Sequence, residues 1–270
     1  PDEEALAAGV WSAQRTLNLP AESHEVTEAT WRVPDEEGTY YLAAVLRRDG
    51  DAPVISQRTV RALRDPATHP AAASARIAVI GGDEELAAWL ERHALATLPT
   101  TPDGLGHAST VIAWDAAALE SLEADATAAL VEAVEGGARL VIVQPQRPVA
   151  TDVVTFKLGD VGDGWEPRTT RVFPYDDVAH PMLEGIRPDC LLRWNGFLGL
   201  IVEHNLGGPA VEGATRLLWA ERPARPVAVA LPRGEGEVVI LTLRLRGRLD
   251  RSEDTYDPCA ARILLNLALR

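Results

Sequence analysis

The chain has 270 residues, with 26 basic and 40 acidic side chains and a formal net charge of −14. This length suits one large or two modest domains, and a hydrophobic content of 46% supplies a sizeable core, which excludes disordered and collagen-like architectures. The acidic balance argues against a nucleic-acid partner, and the lack of an apolar run of about 18 residues argues against a membrane span.

Two residue counts bear on the origin of the chain. Lys157 is its only lysine and Met182 its only methionine, and this bias towards Arg and Ala is typical of a GC-rich bacterial genome. Pro1 is not preceded by an initiator Met, and no signal segment follows it. We therefore interpret the chain as a piece of a longer polypeptide, and its compartment stays open.

The first 65 residues are predicted to be β-structure. Strand-like stretches occur at residues 10–19, 24–33, 38–48 and 53–60, and the Asp-Gly-Asp turn at 49–51 joins the last two into a hairpin. Short strands separated by turns are typical of an immunoglobulin-like β-sandwich, here a partial one because 65 residues are too few for seven strands. Residues 66–75 hold two prolines and no periodicity, which predicts a linker.

An α/β pattern follows over residues 76–270. Continuous apolar strands at 76–80 and 139–143 are typical of parallel strands buried on both faces. A helix after Gly81-Gly82-Asp83, a strand at 109–114 and one long helix through residues 119–134 alternate with them, which predicts a doubly wound sheet.

The rest of this region predicts short strands, a hairpin and a final helix. Residues 146–215 are irregular, with short strands expected at 152–158 and 170–174. A hairpin at 226–243 follows, and Asp257 and Pro258 predict the start of the last helix as N-cap and first residue.

Motifs that would indicate chemistry are weak. Asp83, Glu84 and Glu85 would repel a phosphate from their helix, so we interpret them as an acidic first turn. The six histidines lack metal-ligand spacing, the oxygen-rich loop 160–166 lacks the order of a calcium loop, and residues 176–180 fit a solvated loop. We therefore predict no metal and no cofactor. Cys190 and Cys259 are interpreted as buried structural cysteines, with a reactive thiol as the alternative.

Seven tryptophans are the remaining functional candidates, because indole rings stack on sugars and anchor interfaces. Trp11, Trp31, Trp89 and Trp114 fall in strands or on a helix face, which favours the core. Trp165 and Trp194 lie in the irregular segment and are the candidates for carbohydrate binding at the surface, with packing as the alternative.

Three segments resemble a known family. Residues 180–186 (His-Pro-Met-Leu-Glu-Gly-Ile), 189–196 (Asp-Cys-Leu-Leu-Arg-Trp-Asn-Gly) and the chain end at 234–240 and 257–267 are similar to amidotransferase-like domains near the C-terminus of bacterial family 2 glycoside hydrolases. The element order also resembles the flavodoxin-like fold of class I glutamine amidotransferases. The resemblance covers residues 75–270 well and 1–65 loosely, and the sandwich domains of those enzymes fit the preceding β-segment.

The sequence departs from active amidotransferases at the catalytic positions. Their nucleophile elbow corresponds to Gln144-Pro145-Gln146, which has no Cys, and their late His-Glu pair corresponds to residues 244–247, Arg-Leu-Arg-Gly. No catalytic residue is carried over, and the barrel with the two catalytic glutamates of family 2 hydrolases is not contained in this pattern.

The resemblance implies a non-catalytic accessory region of a carbohydrate-active enzyme. Its expected partners are the catalytic barrel of the parent polypeptide or a second copy of the chain. Carbohydrate binding through Trp165 and Trp194, and a cryptic hydrolase using Cys190 or Cys259, are the two alternatives.

Overall fold

A computed structural model describes residues 16, 36, 38–48, 52–62, 70–160, 171–175, 178–192, 194, 200–220 and 225–269. The chain divides into two compact units, Pro1–Arg64 and Asp65–Arg270. No helix within the described segments is long and apolar enough to cross a membrane. The predicted strand at 10–19 (apart from residue 16), the predicted strand at 24–33 and the turn at 49–51 lie outside the described residues.

The first unit contains a β-hairpin. Strands Gly38–Leu46 (β1) and Val54–Ala62 (β2) pair antiparallel over their whole length, with Leu46 opposite Val54 and Gly38 opposite Ala62. This confirms the hairpin that the sequence predicts.

The second unit is built on an eight-stranded mixed sheet, a smaller three-stranded sheet and six α-helices among the described residues. Its strands are Ile77–Ile80 (β3), Thr97–Leu98 (β4), Thr110–Ala113 (β5), Arg139–Val143 (β6), Val149–Ala150 (β7), Thr155–Asp160 (β8), Val172–Pro174 (β9), His204–Gly207 (β10), Thr215–Ala220 (β11), Pro226–Arg233 (β12) and Gly236–Leu241 (β13). Its helices are Glu84–Arg92 (α1), Pro102–Gly106 (α2), Ala116–Leu119 (α3), Ala124–Glu135 (α4), Pro209–Glu212 (α5) and Pro258–Ala268 (α6). Three 3-10 helices, Pro70–Ser74, Pro181–Leu183 and Pro188–Leu191, complete the unit. The first of them lies inside the predicted linker.

The large sheet has the spatial order β4-β3-β5-β6-β13-β12-β11-β9. The first five strands pair parallel, and in chain order they occupy positions 2-1-3-4-5. The last three pair antiparallel, so the predicted hairpin β12–β13 extends the parallel sheet into a mixed one. The chain reverses its direction of winding between β3 and β5, which is where doubly wound sheets open towards ligands.

The parallel strands form the centre of the core. Every residue of β5 and β6 is buried, as the continuous apolar run predicts for β6. One face of the sheet forms a single apolar cluster with α2, α3 and α4 through Leu105, Leu119 and Leu130. Helix α6 contacts β5 without belonging to that cluster.

The prediction of one long helix through residues 119–134 is wrong. The chain forms two helices there, α3 and α4. Helix α3 ends where the N–H of Glu120 bonds to the carbonyls of Ala117 and Ala118. The Glu120 carboxylate accepts from the N–H of Ala150 at 3.3 Å, which ties the helix end to the strand β7. Leu122 still packs against the core from the turn, so the apolar spacing continues through residues that are not helical.

The end of the chain follows the prediction closely. Asp257 caps α6 by accepting from the N–H groups of Cys259 and Ala260, with Pro258 as the first helical residue. Gly136 ends α4. The short strands β8 and β9 begin two or three residues later than the sequence indicates.

Candidate functional site

The candidate site is the edge of the large sheet at which β3, β5, β6 and β13 end. Ligands of doubly wound sheets bind outside the carboxyl ends of the strands, so an active or binding site is expected there. The four segments that follow these strands meet at this edge, which we call the carboxyl edge.

The segments after β3 and β5 touch each other directly. Gly81 has a positive φ of 69°, and a Cβ placed on it would lie 2.5 Å from the Cβ of Asp115. The N–H of Trp114 donates to the carbonyl of Ile80 at 2.9 Å across the same gap. The position between the two strands is therefore filled by the chain itself.

Asp83 works in local structure rather than in phosphate binding. One carboxylate oxygen caps α1 by accepting from the N–H of Leu86 at 2.9 Å, and the other accepts from the indole Nε1 of Trp114 at 2.7 Å. Trp114 is buried, as expected for a core tryptophan. The Gly-Gly-Asp segment joins a strand to a helix, in agreement with the interpretation as an acidic first turn.

Glu85 holds the segment after β13 against this edge. Its two carboxylate oxygens accept from the N–H groups of Gly247 at 2.7 Å and Leu249 at 2.8 Å. Arg92 donates to the carbonyl of Leu249 at 3.0 Å from the same helix. Residues 244–249, which we call the edge segment, are thus fixed to α1 by charge-assisted hydrogen bonds.

Gln144 lies at a sharp turn directly after the buried strand β6. Its backbone has a φ of 45°, in the left-handed region that non-glycine residues rarely adopt. Its N–H donates to the carbonyl of Leu241 at 2.8 Å, and its side-chain Oε1 accepts from the N–H of Arg246 at 3.1 Å. The strained turn is present, but the residue on it is an amide that anchors the edge segment.

Charge at the carboxyl edge is mixed. The Arg246 guanidinium lies over the Trp114 ring, 5.5 Å from its centroid, and Arg244 forms an ion pair with Glu203 at 3.0 Å. Asp83, Glu85 and Asp115 supply negative charge close by. The carboxyl edge therefore carries charges of both signs, and Arg244 is paired with a carboxylate.

An ionic cluster lies at the opposite end of the sheet, where β6 and β13 begin, which we call the amino edge. Arg139 and Glu237 form a close ion pair, and the Nε2 atom of His180 faces the other oxygen of Glu237 at 3.4 Å. The Nδ1 atom of His180 accepts from the N–H of Met182, which places the proton on Nε2. The hydrogen bond from His180 and the charge of Arg139 outweigh burial and lower the pKa of Glu237 from 4.5 to about 2.

The His-Pro-Met-Leu-Glu-Gly segment, which begins with His180 of this cluster, has a structural role through its contacts with α6. Asn266 of α6 donates to the carbonyls of Met182 and Glu184, at 3.1 and 2.8 Å. Arg139 donates to the carbonyl of Leu267. The segment therefore joins the terminal helix to the amino edge of the sheet, on the side away from the candidate site.

Cys190, Cys259 and Trp194 form a buried cluster. Both cysteines and the indole are 2% exposed. Trp194 donates from Nε1 to the carbonyl of Cys190 at 2.9 Å, and the guanidinium of Arg248 lies 5.6 Å from the centre of its ring. The hydrogen bond with Cys190, together with burial, raises the pKa of the Cys259 thiol well above its usual value. These cysteines are buried, as the structural interpretation expects.

The expectation that Trp194 lies at the surface is wrong. The loop around it is irregular in sequence, but its indole N–H bonds to a backbone carbonyl and Arg248 covers its ring, so the structure gives it no exposed face for a sugar. Trp165 lies outside the described residues, and its role in carbohydrate binding stays a prediction. Trp89 is buried, as predicted.

No group of three or more metal-ligating side chains occurs within the described segments. Residues 161–166 of the calcium-like loop, and Asp176 and Asp177 beside His180, lie outside them. Two grooves, of about 690 and 680 Å³, lie on either side of α4 and away from the carboxyl edge. Within the described residues, neither the sequence motifs nor the residues that line these grooves bring a set of catalytic side chains together.

Sequence reasoning missed the roles of Glu85 and Arg246. The available signal was the Arg-Leu-Arg-Gly-Arg run at 244–248, a basic cluster in a chain of charge −14 that follows directly after a buried strand. Its partners on α1 are about 160 positions earlier in the chain, so their meeting depends on the sheet order.

Comparisons with known proteins find distant likenesses in structure. No protein-family model and no curated protein matches the sequence. Among solved structures, a cytoplasmic protein of Salmonella typhimurium is 10% identical, with 84% of this chain and 94% of that chain covered and a TM-score of 0.45. A β-galactosidase of Bacillus circulans is 11% identical, with coverage of 72% and 30% and a TM-score of 0.40.

A ThuA-like protein of Bacteroides uniformis is 11% identical, with 72% of this chain and 88% of that chain covered and a TM-score of 0.41. The distant neighbours of this mixed α/β chain thus include a glycoside hydrolase and a ThuA-like protein. The proposal for the function of this chain is therefore argued from the contacts at the carboxyl edge.

Proposed function

We propose that this chain is a non-catalytic accessory region of a carbohydrate-active enzyme of the family 2 glycoside hydrolase type. Its α/β domain, residues 76–270, has the flavodoxin-like strand order and an amidotransferase-like site without a nucleophile. The preceding residues 1–65 belong to an immunoglobulin-like sandwich, and 66–75 link the two. The role of the region is assembly, either with the catalytic barrel of its parent polypeptide or with a second copy of itself.

The observation that supports this proposal most strongly is the backbone conformation of Gln144 and the hydrogen bond of its side chain. A strained left-handed turn after a buried strand is the geometry that presents a nucleophile in acyl-transfer enzymes. Here the turn is retained at φ 45°, but the side chain accepts a hydrogen bond from Arg246 and has no attacking atom. A turn of this strain is retained where surrounding structure determines it, in this case the edge segment.

Closure of the carboxyl edge supports the same conclusion. Glu85 binds two backbone N–H groups of the edge segment, and Gly81 approaches Asp115 too closely for a side chain. A substrate would have to displace both contacts to reach the ends of β3 and β5. The carbohydrate context itself comes from the sequence resemblance over residues 180–196.

The two alternatives receive less support. A thiol-dependent hydrolase needs an accessible thiolate, whereas Cys259 is 2% exposed and its pKa is raised. Carbohydrate binding through exposed tryptophan needs an open ring face, which Trp194 lacks.

Exposed apolar side chains on the first unit favour an assembly role. Tyr41, Leu46 and Val54 are 67%, 57% and 64% exposed, and the last two are direct cross-strand neighbours. Large apolar residues grouped on one hairpin indicate contact with another protein surface. A two-stranded hairpin also gains stability from such packing.

Sedimentation velocity over a wide concentration range tests the proposal. We expect the chain to form a defined oligomer, or to bind the catalytic region of its natural polypeptide, and the double variant Leu46→Ser/Val54→Ser to weaken that association at least about tenfold, since each buried aliphatic side chain contributes roughly 1.5–3 kcal/mol. Arg58→Ser, an exposed change on the same hairpin, is the matched control and should leave the association unchanged.

A strict monomer that also fails to bind the catalytic region would overturn the assembly role. Hydrolysis of chromogenic glycosides or of glutamine by the purified chain, lost in a Cys259→Ser variant, would overturn the non-catalytic part.

A further inference from the structure

Trp219 differs from the other tryptophans among the described residues because it is not buried. Trp89, Trp114 and Trp194 are 0, 1 and 2% exposed, whereas Trp219 is partly exposed. The indole N–H groups of Trp114 and Trp194 donate to protein acceptors, but no described residue accepts from that of Trp219. From this side chain and its neighbours we propose a carbohydrate-binding site on strands β9 and β11, which does not depend on the assembly role.

Phe173 and Trp219 form a stacked aromatic pair. They are direct cross-strand neighbours of β9 and β11, with ring centroids 4.6 Å apart and ring planes inclined by 28°. Both side chains are partly exposed. Because each ring holds the other in place, the pair is a pre-formed apolar surface, and a ligand that packs on it orders few additional side chains.

An irregularity in β11 determines where Trp219 points. The register of β11 against β12 shifts twice, between Arg216 and Leu218 and again between Leu218 and Trp219. Leu217 and Leu218 are therefore both fully buried although they are adjacent in a strand, and Trp219 follows them on the side of Phe173. Irregularities of this kind are common at sheet edges and beside active sites, where they redirect a side chain. The placement of Trp219 is thus fixed by the backbone.

The alternation of side chains along β9 places polar groups beside the stacked pair. Val172 is fully buried, whereas Arg171, Phe173 and Tyr175, on the other side of the strand, are exposed or partly exposed. Tyr175 continues the pairing with β11, since its N–H donates to the carbonyl of Leu217 at 3.2 Å. A guanidinium group and a phenol hydroxyl therefore flank Phe173. We call Phe173, Tyr175 and Trp219 the aromatic patch.

A pyranose sugar fits the aromatic patch. Its ring presents C–H groups on its faces, which pack against aromatic rings, and hydroxyl groups around its rim. These hydroxyl groups can pair with the Tyr175 hydroxyl, the Trp219 N–H and the Arg171 guanidinium. A cationic ligand fits poorly, because Arg171 and the exposed Arg216 would repel it.

An extended peptide also fits this place poorly. Strand β9 is the outermost strand of the large sheet, so a peptide could in principle pair with its open edge. Because the N–H of Tyr175 points inwards to β11, the preceding position, Pro174, is the one that faces outwards. Proline has no N–H to donate to an added strand. The face of the aromatic patch, rather than the strand edge, is therefore the binding surface.

Nuclear magnetic resonance of the chain with ¹⁵N-labelled tryptophan tests the proposal. The chain is titrated with β-1,4-linked hexasaccharides of glucose, mannose and galactose. We expect at least one of them to shift the indole N–H signal of Trp219 in a saturable way, the signal being identified by its loss in Trp219→Phe. Trp219→Ala should weaken binding at least about tenfold through loss of the stacked ring. Leu192→Ala, an exposed apolar change in the same unit, is the matched control and should leave binding unchanged.

No saturable shift with any of the three sugars in the wild-type chain would overturn the proposal. So would binding that Trp219→Ala leaves intact, because the sugar would then lie elsewhere. Trp219→Phe keeps a ring at the stacked position and should retain part of the affinity, which separates loss of the patch from loss of the fold. The wild-type titration needs no variant to fold, and its result is independent of the oligomeric state measured by sedimentation.

Discussion

Replacement of Glu237 by glutamine tests how strongly the ionic cluster at the amino edge stabilises the sheet. His180 and Arg139 hold the pKa of Glu237 at about 2, against an ordinary 4.5. A difference of this size corresponds to about 3 kcal/mol of stabilisation of the charged form. Because a quarter of the Glu237 side chain is exposed to solvent, screening reduces this, and we expect Glu237→Gln to lower the free energy of unfolding by about 2 kcal/mol near neutral pH.

The pH dependence has a defined sign. A carboxyl whose folded pKa is depressed stabilises the fold fully above its unfolded pKa, and this contribution disappears as the pH falls from about 4.5 to about 2. The difference between wild type and Glu237→Gln should therefore shrink over that interval and vanish near pH 2.

Urea unfolding followed by tryptophan fluorescence at several pH values between 2 and 6 measures this difference. Glu135→Gln is the matched control, since its ion pair with Arg233 at 3.2 Å is half exposed and should contribute less than about 0.5 kcal/mol at any pH. A Glu237→Gln effect that is independent of pH, or no larger than that of the control, would refute the reasoning.

Four further substitutions, one of them a control, address local contacts, with unfolding measured in the same way. Gly81→Ala should destabilise by about 3 kcal/mol, from the positive φ and the overlap with Asp115, whereas Gly106→Ala, which meets no atom within 4 Å, should change stability by less than about 1 kcal/mol. Asp83→Ala should cost about 1–3 kcal/mol, because it removes the cap of α1 and the acceptor of the Trp114 indole. Trp194→Ala should cost about 3–5 kcal/mol; full stability in that variant would contradict its burial.

Local sequence patterns predict much of this fold because they reflect local physics. Continuous apolar runs identify β3 and β6, since a strand covered on both faces needs no polar residue. Asp257 before Pro258 identifies the start of α6, since capping involves neighbours in the chain. The break between α3 and α4 escapes this reasoning, because Leu122 packs into the core from a turn and preserves the helical spacing.

The candidate site is less predictable because it is made by contacts between distant residues. Glu85 meets Gly247, and Gln144 meets Arg246, only after β3, β6 and β13 have taken their places in the sheet. The sequence alone shows that residues 144–146, which follow a buried strand, contain neither Cys nor Ser. It does not reveal that the left-handed turn remains, nor that Trp194 turns inward, since both depend on backbone geometry and on packing against Arg248.

Our central claim is that, within the described residues, the chain itself closes the carboxyl edge of its parallel sheet. Hydrogen exchange at the N–H groups of Gly247 and Leu249 measures this closure most directly. We predict slow exchange at both, accelerated about 10- to 100-fold in Glu85→Gln, since each bond is made to a charged acceptor. Rapid exchange at both groups in the wild-type chain, unchanged in the variant, would contradict the claim.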